Sequence, residues 1–212
     1  MKDTSIELKD PKARAAALYL ASASAARVRI LANAGISFVA EPASVDEAEM
    51  KRSLAAEGAG PVDVAAALAE LKARKIAARH EGAFVIGADQ VLECNGVVFG
   101  KPGDLDHARA QLLALRGKTH RLVSAVCLMR DERVIWHDAD TAELTMRNFS
   151  DAFLDAYLAS VGEAACAGVG AYQLEGPGAQ LFSRVRGDYF TILGLPLLPL
   201  LGVLREHGVA QA

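Results

Sequence analysis

Acidic and basic residues of the kind that handle phosphate groups recur along this chain. Asp89 follows an apolar run, and Lys101 comes shortly after it between two backbone-restricting residues. A carboxylate can hold a metal ion or accept a proton from water, and a lysine can bind phosphate oxygens. Because Asn95-Gly96 favours a tight hairpin turn, we expect the chain to bring Lys101 back toward Asp89. These two residues together predict a site for phosphoryl-transfer chemistry.

A second candidate lies where a short apolar run meets a predicted helix. Ser22, Ser24 and Arg27 occupy this turn. The first turn of a helix offers unpaired N–H groups and a positive dipole end, so it can receive a phosphate. The hydroxyls and the guanidinium would add donors. On its own the pattern is more typical of a helix N-cap followed by a surface arginine.

A third candidate combines Glu47, which follows Asp46, with Lys72 and Lys75 on a predicted helix. Two adjacent acids are compatible with a second metal ligand. Taken singly, a solvated loop and a solvated helix face are the simpler interpretations.

Apolar runs and turn residues predict the elements that must position these groups. Strands are expected at 18–21, 84–87, 121–130 and 134–146, with a hairpin over 91–98 and strand-like character over 179–185. Helices are expected at 25–34, 62–79, 104–115, 150–160 and 195–206. Strands mixed with helices and hairpins predict an α/β fold with a mixed central sheet, flanking helices and two lobes around a cleft. Asp89 is expected just beyond a strand end, where ligands gather in such sheets.

Composition limits the class of protein. The chain is 52% hydrophobic and 23% charged with a net charge of -3, so nucleic acid and anionic membrane are not expected partners. The three cysteines have no CxxC spacing, which fits a reducing cytosol better than a zinc site or a disulfide framework. No targeting segment precedes the domain, so a cytoplasmic protein is expected. We expect residues 1–14 to form an extension and residues 15–212 a single domain.

Short segments spread over nearly the whole chain resemble, in this order, the Maf family of nucleotide pyrophosphatases. Each segment is common by itself, whereas all of them in register are specific. They are Leu20-Ala21-Ser22-Ala23-Ser24, Asp46-Glu47, Leu68-Ala69-Glu70-Leu71-Lys72-Ala73, Ile86-Gly87-Ala88-Asp89-Gln90-Val91, Gly100-Lys101-Pro102, Leu115-Arg116-Gly117-Lys118-Thr119-His120, Gly170-Ala171-Tyr172-Gln173-Leu174-Glu175-Gly176, Gly187-Asp188-Tyr189 and Gly194-Leu195-Pro196-Leu197.

The resemblance implies a Maf/ITPase-like fold and an enzyme that cleaves a nucleoside triphosphate between its α- and β-phosphates with Mg²⁺ or Mn²⁺. The family's proton acceptor falls on Asp89, which would deprotonate water or hold the metal that does. Glu47 falls on a second acidic position, as a metal ligand or its support.

The remaining site residues follow from the same resemblance. Arg27, Lys72 and Lys101 would bind phosphates, with Lys75 as the alternative to Lys72. Ser22 and Ser24 would add donors at the helix start. The family likeness also suggests a homodimer.

Three departures from the family pattern bear on the choice of base. Ala25-Ala26 replaces the usual Pro-Arg, and Gln90 and Glu175 stand where the branch acting on dTTP and UTP has Thr and Gln. Gln90 and Glu175 are similar to the 7-methyl-GTP branch, which has Trp at the position of Ala26. Gln90 and Glu175 are therefore expected to bind the substrate. A carboxylate only accepts hydrogen bonds and guanine presents two adjacent donors, so Glu175 favours a guanine-like or modified base. The absence of a large side chain at Ala26 is equally compatible with a roomier pocket that accepts several bases.

Two other functions remain open at this point. One is a nucleotide-binding regulator of cell division without turnover. The other is a house-cleaning hydrolase for inosine or xanthosine triphosphate, whose fold the Maf family resembles. The acid pair Asp89 and Glu47 favours catalysis, since a binding protein has no need of it.

Overall fold

The computed structural model describes residues 17–211, so the extension predicted for residues 1–14 lies outside the described residues. The described part of the chain is built on one sheet of seven strands, with helices packed against it. The elements are β1 (Leu18–Leu20), α1 (Ala25–Asn33), β2 (Val39–Ala40), α2 (Glu47–Ala56), α3 (Pro61–Ala77), β3 (Phe84–Cys94), β4 (Val97–Phe99), α4 (Leu105–Leu115), β5 (Thr119–Arg130), β6 (Arg133–Met146), α5 (Asp151–Val161), β7 (Phe182–Arg186), α6 (Tyr189–Ile192) and α7 (Leu197–Glu206). Short 3₁₀ turns cover Gly162–Ala167, Val169–Ala171 and Pro177–Leu181.

The sheet has the strand order β2-β1-β3-β5-β6-β7, with β4 paired to β3. Strand β1 runs parallel to β2 and β3, whereas the pairs β3–β4, β3–β5, β5–β6 and β6–β7 are antiparallel. The predicted α/β fold with a mixed sheet is therefore confirmed. Strand β3 lies at its centre and brings residues to both faces.

On one face of β3, a glycine lets helix α3 approach the strand closely. Helix α3 packs against β3 and β5 around a cluster of small and branched apolar side chains. A Cβ atom at Gly87 would lie 2.0 Å from the Ala69 carbonyl oxygen, so only glycine permits this close approach. The short separation between helix and strand lets Lys72 on α3 reach the sheet.

The predicted caps and hairpin turn form as expected. The side chains of Ser24, Asp104 and Ser150 accept hydrogen bonds from the first turns of α1, α4 and α5. Asn95 and Gly96 have φ values of 54° and 82°, the left-handed conformation that a tight hairpin turn requires.

Three local predictions were wrong. The strand predicted over 84–87 continues through Cys94, so Asp89 lies in the middle of β3 rather than beyond a strand end. The acids at Asp46-Glu47 are not in a loop, because Asp46 caps helix α2 by accepting from the Glu49 N–H. The strand expected over 179–185 begins only at Phe182, after a 3₁₀ turn.

Within the described residues, no helix combines the length and the apolar character needed to cross a membrane.

Candidate active site

A cleft of about 360 Å³ opens between the N-termini of α1 and α2, strand β3 and the segment 167–175. Every predicted site residue except Ser22 lines it: Ser24, Arg27, Glu47, Lys72, Asp89, Gln90, Lys101 and Glu175. Residues far apart in the sequence therefore meet around one cavity.

Lys72 joins two carboxylates from different elements. Its Nζ lies 2.6 Å from Asp89 Oδ1 on β3 and 2.7 Å from Glu47 Oε1 on α2. The side chains of Lys72 and Asp89 are only 9% and 5% exposed, so this ion pair is screened little by solvent. Lys75, the alternative from the sequence, donates instead to the Ser44 carbonyl oxygen and does not line the cleft.

The second oxygen of Asp89 is buried without a hydrogen-bond partner in the described part of the chain. A buried carboxylate oxygen without a partner is costly, and such atoms are rare in folded proteins. Asp89 Oδ2 is thus the atom of the cleft that most requires a ligand: a water proton, a cation or a donor group.

The surrounding charges shift the pKa values of neighbouring groups. Burial acts to raise the pKa of Glu47, but the hydrogen bond and charge of Lys72, with Lys51 and Lys101, hold it below its ordinary value. Partial desolvation lowers the pKa of Lys101, which Glu47 partly offsets. The cleft therefore combines an ionised carboxylate with a lysine whose proton is held less tightly than usual.

The start of α1 positions a buried arginine. Ser24 caps the helix, and the Ser22 hydroxyl oxygen accepts from the Ser24 N–H at 3.2 Å and from Arg27 Nη1 at 3.2 Å. Arg27 Nε donates to the Gly194 carbonyl oxygen at 2.7 Å. Burial lowers the pKa of Arg27, while Asp89 and Glu47 oppose that shift. Ser22 thus positions Arg27 without lining the cleft itself. The predicted contact between Ser22 and the substrate stays a prediction.

Gln90 is fixed by strand β5 and by helix α6, which follows β7. Its Nε2 donates to Ser124 Oγ at 2.9 Å and to the carbonyl oxygens of Thr191 and Ile192, both at 3.0 Å. Since all three partners accept, the amide nitrogen is committed to the protein. A ligand in the cleft would meet the Gln90 carbonyl oxygen, which is an acceptor.

Glu175 is held by an arginine that the sequence analysis missed. Its Oε1 accepts from Arg29 Nη2 at 2.5 Å, and both side chains line the cleft. Lys51, also missed, lines the cleft one helical turn after Glu47. Its spacing of four residues from Glu47 was a usable signal, because such residues share a helix face. Nothing in the sequence linked Arg29 to Glu175.

A buried histidine lies behind the cleft. His120 Nε2 is 2.7 Å from the hydroxyl oxygen of Tyr172, a cleft residue, and His120 Nδ1 has no partner in the described part of the chain. Burial lowers the pKa of His120 to about 4, so the imidazole is neutral near pH 7.

Two carboxylates of the cleft, Asp89 and Glu47, are candidate ligands for a divalent cation. No group of three or more His, Cys, Asp or Glu side chains with suitable geometry occurs within residues 17–211. Lys72 contacts one oxygen of Asp89 and one of Glu47, which leaves the second oxygen of each outside that pairing. Mg²⁺ is commonly held by one or two carboxylates together with substrate phosphates and waters, so the donor set fits a cation of this kind.

Comparison with known proteins gives consistent matches over almost the whole described chain. The family model described as Maf-like protein matches residues 17–207. A nucleoside triphosphate pyrophosphatase of Paramagnetospirillum magneticum is 61% identical over 189 residues, which is 89% of this chain and 97% of the relative. A 7-methyl-GTP pyrophosphatase of Rhizobium meliloti is 51% identical over 195 residues, covering 92% of this chain and 98% of the relative. A nucleoside triphosphate pyrophosphatase of Granulibacter bethesdensis is 53% identical over 190 residues, or 90% and 96% of the two chains.

Proposed function

This chain belongs to the Maf family, and we propose that it hydrolyses a guanine-type nucleoside triphosphate to the monophosphate and pyrophosphate. The observation that carries the proposal is the Glu47–Lys72–Asp89 arrangement, in which one buried oxygen of Asp89 has no partner within the described residues. The names of the relatives, nucleoside triphosphate pyrophosphatase and 7-methyl-GTP pyrophosphatase, support the same reaction class.

In the proposed mechanism, Asp89 Oδ2 accepts a proton from water. The water oxygen attacks the α-phosphorus, and the bond from that phosphorus to the α,β-bridging oxygen breaks to release pyrophosphate. Lys72 positions Asp89 through the contact at 2.6 Å with Oδ1, which leaves Oδ2 to accept the proton. General-base catalysis of this type contributes about 10²- to 10⁴-fold to the rate.

Cationic groups that line the same cleft would bind the phosphates. Arg27 lies at the start of α1, where the helix dipole adds positive potential, and Lys101 and Lys51 line the same cavity. Groups of this charge stabilise the negative charge that develops on the leaving pyrophosphate.

In the alternative in which Asp89 Oδ2 holds a metal rather than accepts the proton, a divalent cation, Mg²⁺ or Mn²⁺, would be held by Asp89 and Glu47 together with phosphate oxygens and waters. When bound, it would neutralise phosphate charge and polarise the α-phosphate. Glu47 suits this role because its pKa is held below the ordinary value, which keeps the carboxylate ionised.

Two acceptor groups that line the cleft support a guanine-type base. The Glu175 carboxylate accepts hydrogen bonds only, and the committed Nε2 of Gln90 leaves that side chain with an acceptor as well. Guanine offers the N1–H and 2-amino donors, whereas the matching edge of uracil or thymine alternates acceptor and donor.

Cys94, Cys127 and Cys166 are free thiols in the described chain, which supports a cytoplasmic enzyme acting on the free nucleotide pool.

The test is a pyrophosphate-release assay with GTP, 7-methyl-GTP, ITP, ATP, dTTP, UTP and CTP, with Mg²⁺ or Mn²⁺ and with a chelator. We expect monophosphate and pyrophosphate as products and the highest kcat/KM for a guanine nucleotide. Preference for dTTP or UTP would contradict the base assignment and leave the reaction class intact. Nucleotide binding without turnover of any substrate would replace the enzyme with a nucleotide-binding regulator.

A further inference from the structure

An ion pair crosses the cleft where the base is expected to bind. Arg29 on α1 and Glu175, just after the 3₁₀ turn Val169–Ala171, are joined by the Nη2–Oε1 contact of 2.5 Å. Their side chains are 52% and 23% exposed. Pairs as exposed as this contribute little to folding stability, so the importance of the contact lies in what it presents to a ligand.

We propose that Arg29 is a specificity-determining residue that makes this cleft prefer unmethylated guanine over 7-methylguanine. The inference rests on the proposed function, because it assigns the base within that same cleft. It adds a residue and a direction of selectivity that Glu175 alone does not provide.

The hydrogen-bonding edge of guanine is complementary to the pair formed by Arg29 and Glu175. Three groups lie in a row on this edge: the 2-amino group and N1–H, which donate, and O6, which accepts. The Glu175 carboxylate can receive the two donors. A guanidinium beside that carboxylate can donate to O6, because its rigid fork carries several N–H groups in one plane. Arg29 and Glu175 together therefore match all three groups.

The positive charge of Arg29 disfavours a base that is methylated at N7. Methylation at N7 gives the purine a positive charge, and N7 is the next ring acceptor beyond O6. An isolated Glu175 carboxylate would attract that cation. With Arg29 in contact at 2.5 Å, the two charges cancel at a distance, and the guanidinium on the O6 side repels the methylated ring. Arg29 thus removes the electrostatic advantage that 7-methylguanine would otherwise have.

The experiment compares kcat/KM for GTP and for 7-methyl-GTP in the wild-type enzyme and in two variants, Arg29→Ala and Arg29→Gln. We expect Arg29→Ala to lower the GTP to 7-methyl-GTP ratio by about tenfold, through loss of the O6 contact and of the repulsion. Arg29→Gln keeps a donor without charge, so GTP use is expected to be partly retained while 7-methyl-GTP use rises. In the wild type the ratio is expected to fall as salt is added, because salt screens exposed charges.

Arg74→Ala is the matched control. Arg74 and Glu70 form an ion pair of the same 2.5 Å length with side chains 47% and 45% exposed, and neither residue lines the cleft. We expect this variant to leave the substrate ratio unchanged.

Two results would overturn the inference. An unchanged ratio in Arg29→Ala would exclude selectivity by Arg29. An equal loss for GTP, 7-methyl-GTP and CTP would show that Arg29 binds phosphates or only positions Glu175. If the wild-type protein turned over no triphosphate, the proposed function would fail separately, and calorimetric binding of GTP and 7-methyl-GTP to the same variants would still decide the role of Arg29.

Discussion

The two faces of the sheet each carry a buried side chain with an atom that has no partner in the described residues, yet the surroundings of the two side chains differ. On the α3 face, Asp89 lines the cleft and contacts Lys72, and its Oδ2 is the atom without a partner. On the opposite face, His120 of β5 lies against the rings of Tyr172 and Phe182, and its Nδ1 is the atom without a partner. Asp89 thus has both a cavity and a compensating charge beside it, whereas His120 reaches the cleft only through Tyr172 and is surrounded by uncharged rings. We therefore expect Asp89 to serve chemistry and His120 to affect stability.

The largest effect should come from removing the acceptor on the cleft side. Asp89→Asn keeps the size of the side chain but removes the base, so kcat for pyrophosphate release from GTP should fall by about 10³-fold. Asp106→Asn, an exposed acid on α4 outside the cleft, is the matched control and should retain the wild-type rate. A loss smaller than tenfold for Asp89→Asn would remove the distinction between the two faces.

On the other face, His120 should act on stability rather than on chemistry. Its pKa is about 4 in the folded protein against 6.5 when exposed, so the unfolded chain binds the additional proton between these values. The contribution of His120 to the free energy of unfolding is fully present above pH 6.5. It is lost as the pH falls toward 4, by about 3 kcal/mol in total. Denaturant titrations across this range measure the loss, and His120→Phe should show a shallower slope. The same slope in both proteins would contradict this assignment.

Lys101, which lines the cleft, should make the activity depend on pH. Lys101→Ala should lower kcat/KM for GTP by about 10²-fold, since a charged phosphate ligand is lost. The pKa of Lys101 is lowered by desolvation, so its charge, and with it the activity, should be lost as the pH rises through a value below 10.5. Lys101→Arg should retain part of the activity and move this alkaline limb upward. A pH–rate profile that Lys101→Arg leaves unmoved would assign the limb to another group.

A smaller effect is expected at Gly194, which lies against Arg27 and Gln90 of the cleft. Its φ is +95°, and a Cβ there would lie 3.4 Å from Arg27 Nη2 and 3.7 Å from Gln90 Cδ. Gly194→Ala should therefore reduce the free energy of unfolding by about 1–2 kcal/mol and raise KM for GTP. Gly202→Ala on α7 is the control, because its added Cβ would meet no atom within 4 Å in the described chain. Equal melting temperatures for the two variants would exclude strain at Gly194.

The sequence predicted the fold well where local patterns decide it. The helix caps and the Asn95-Gly96 turn depend on neighbouring residues only, and both formed as expected. Asp89 was placed beyond a strand end because the apolar run predicted a strand over 84–87 only. Instead the strand continues, and Gly87 serves the contact with α3, which is a long-range effect. Helix α2 was missed because it has too little apolar periodicity to be recognised, although Asp46 and Glu49 have helix-start spacing.

In the candidate site, too, some residues could be predicted from the sequence and one pairing could not. The resemblance to a family supplied Glu47, Lys72 and Asp89, and the structure brings all three into contact through Lys72. Their roles in catalysis stay predictions until they are assayed. The pairing of Arg29 with Glu175 could not be predicted, because residues separated by 146 positions meet only through the tertiary fold.

Helix α2 carries Glu47, yet none of its residues Glu47–Ala56, all of them described, is buried. Helix α3 buries residues along most of its length, including Leu68, Ala73 and Ile76. Local unfolding of α2 therefore costs much less free energy than local unfolding of α3. The cleft therefore has one wall of high local stability, which carries Lys72 and Asp89, and one wall of low local stability, which carries Glu47 and Lys51. The contact between Lys72 and Glu47 should open more readily than the contact between Lys72 and Asp89, so the metal-binding side of the site is the part that can adjust when a nucleotide enters.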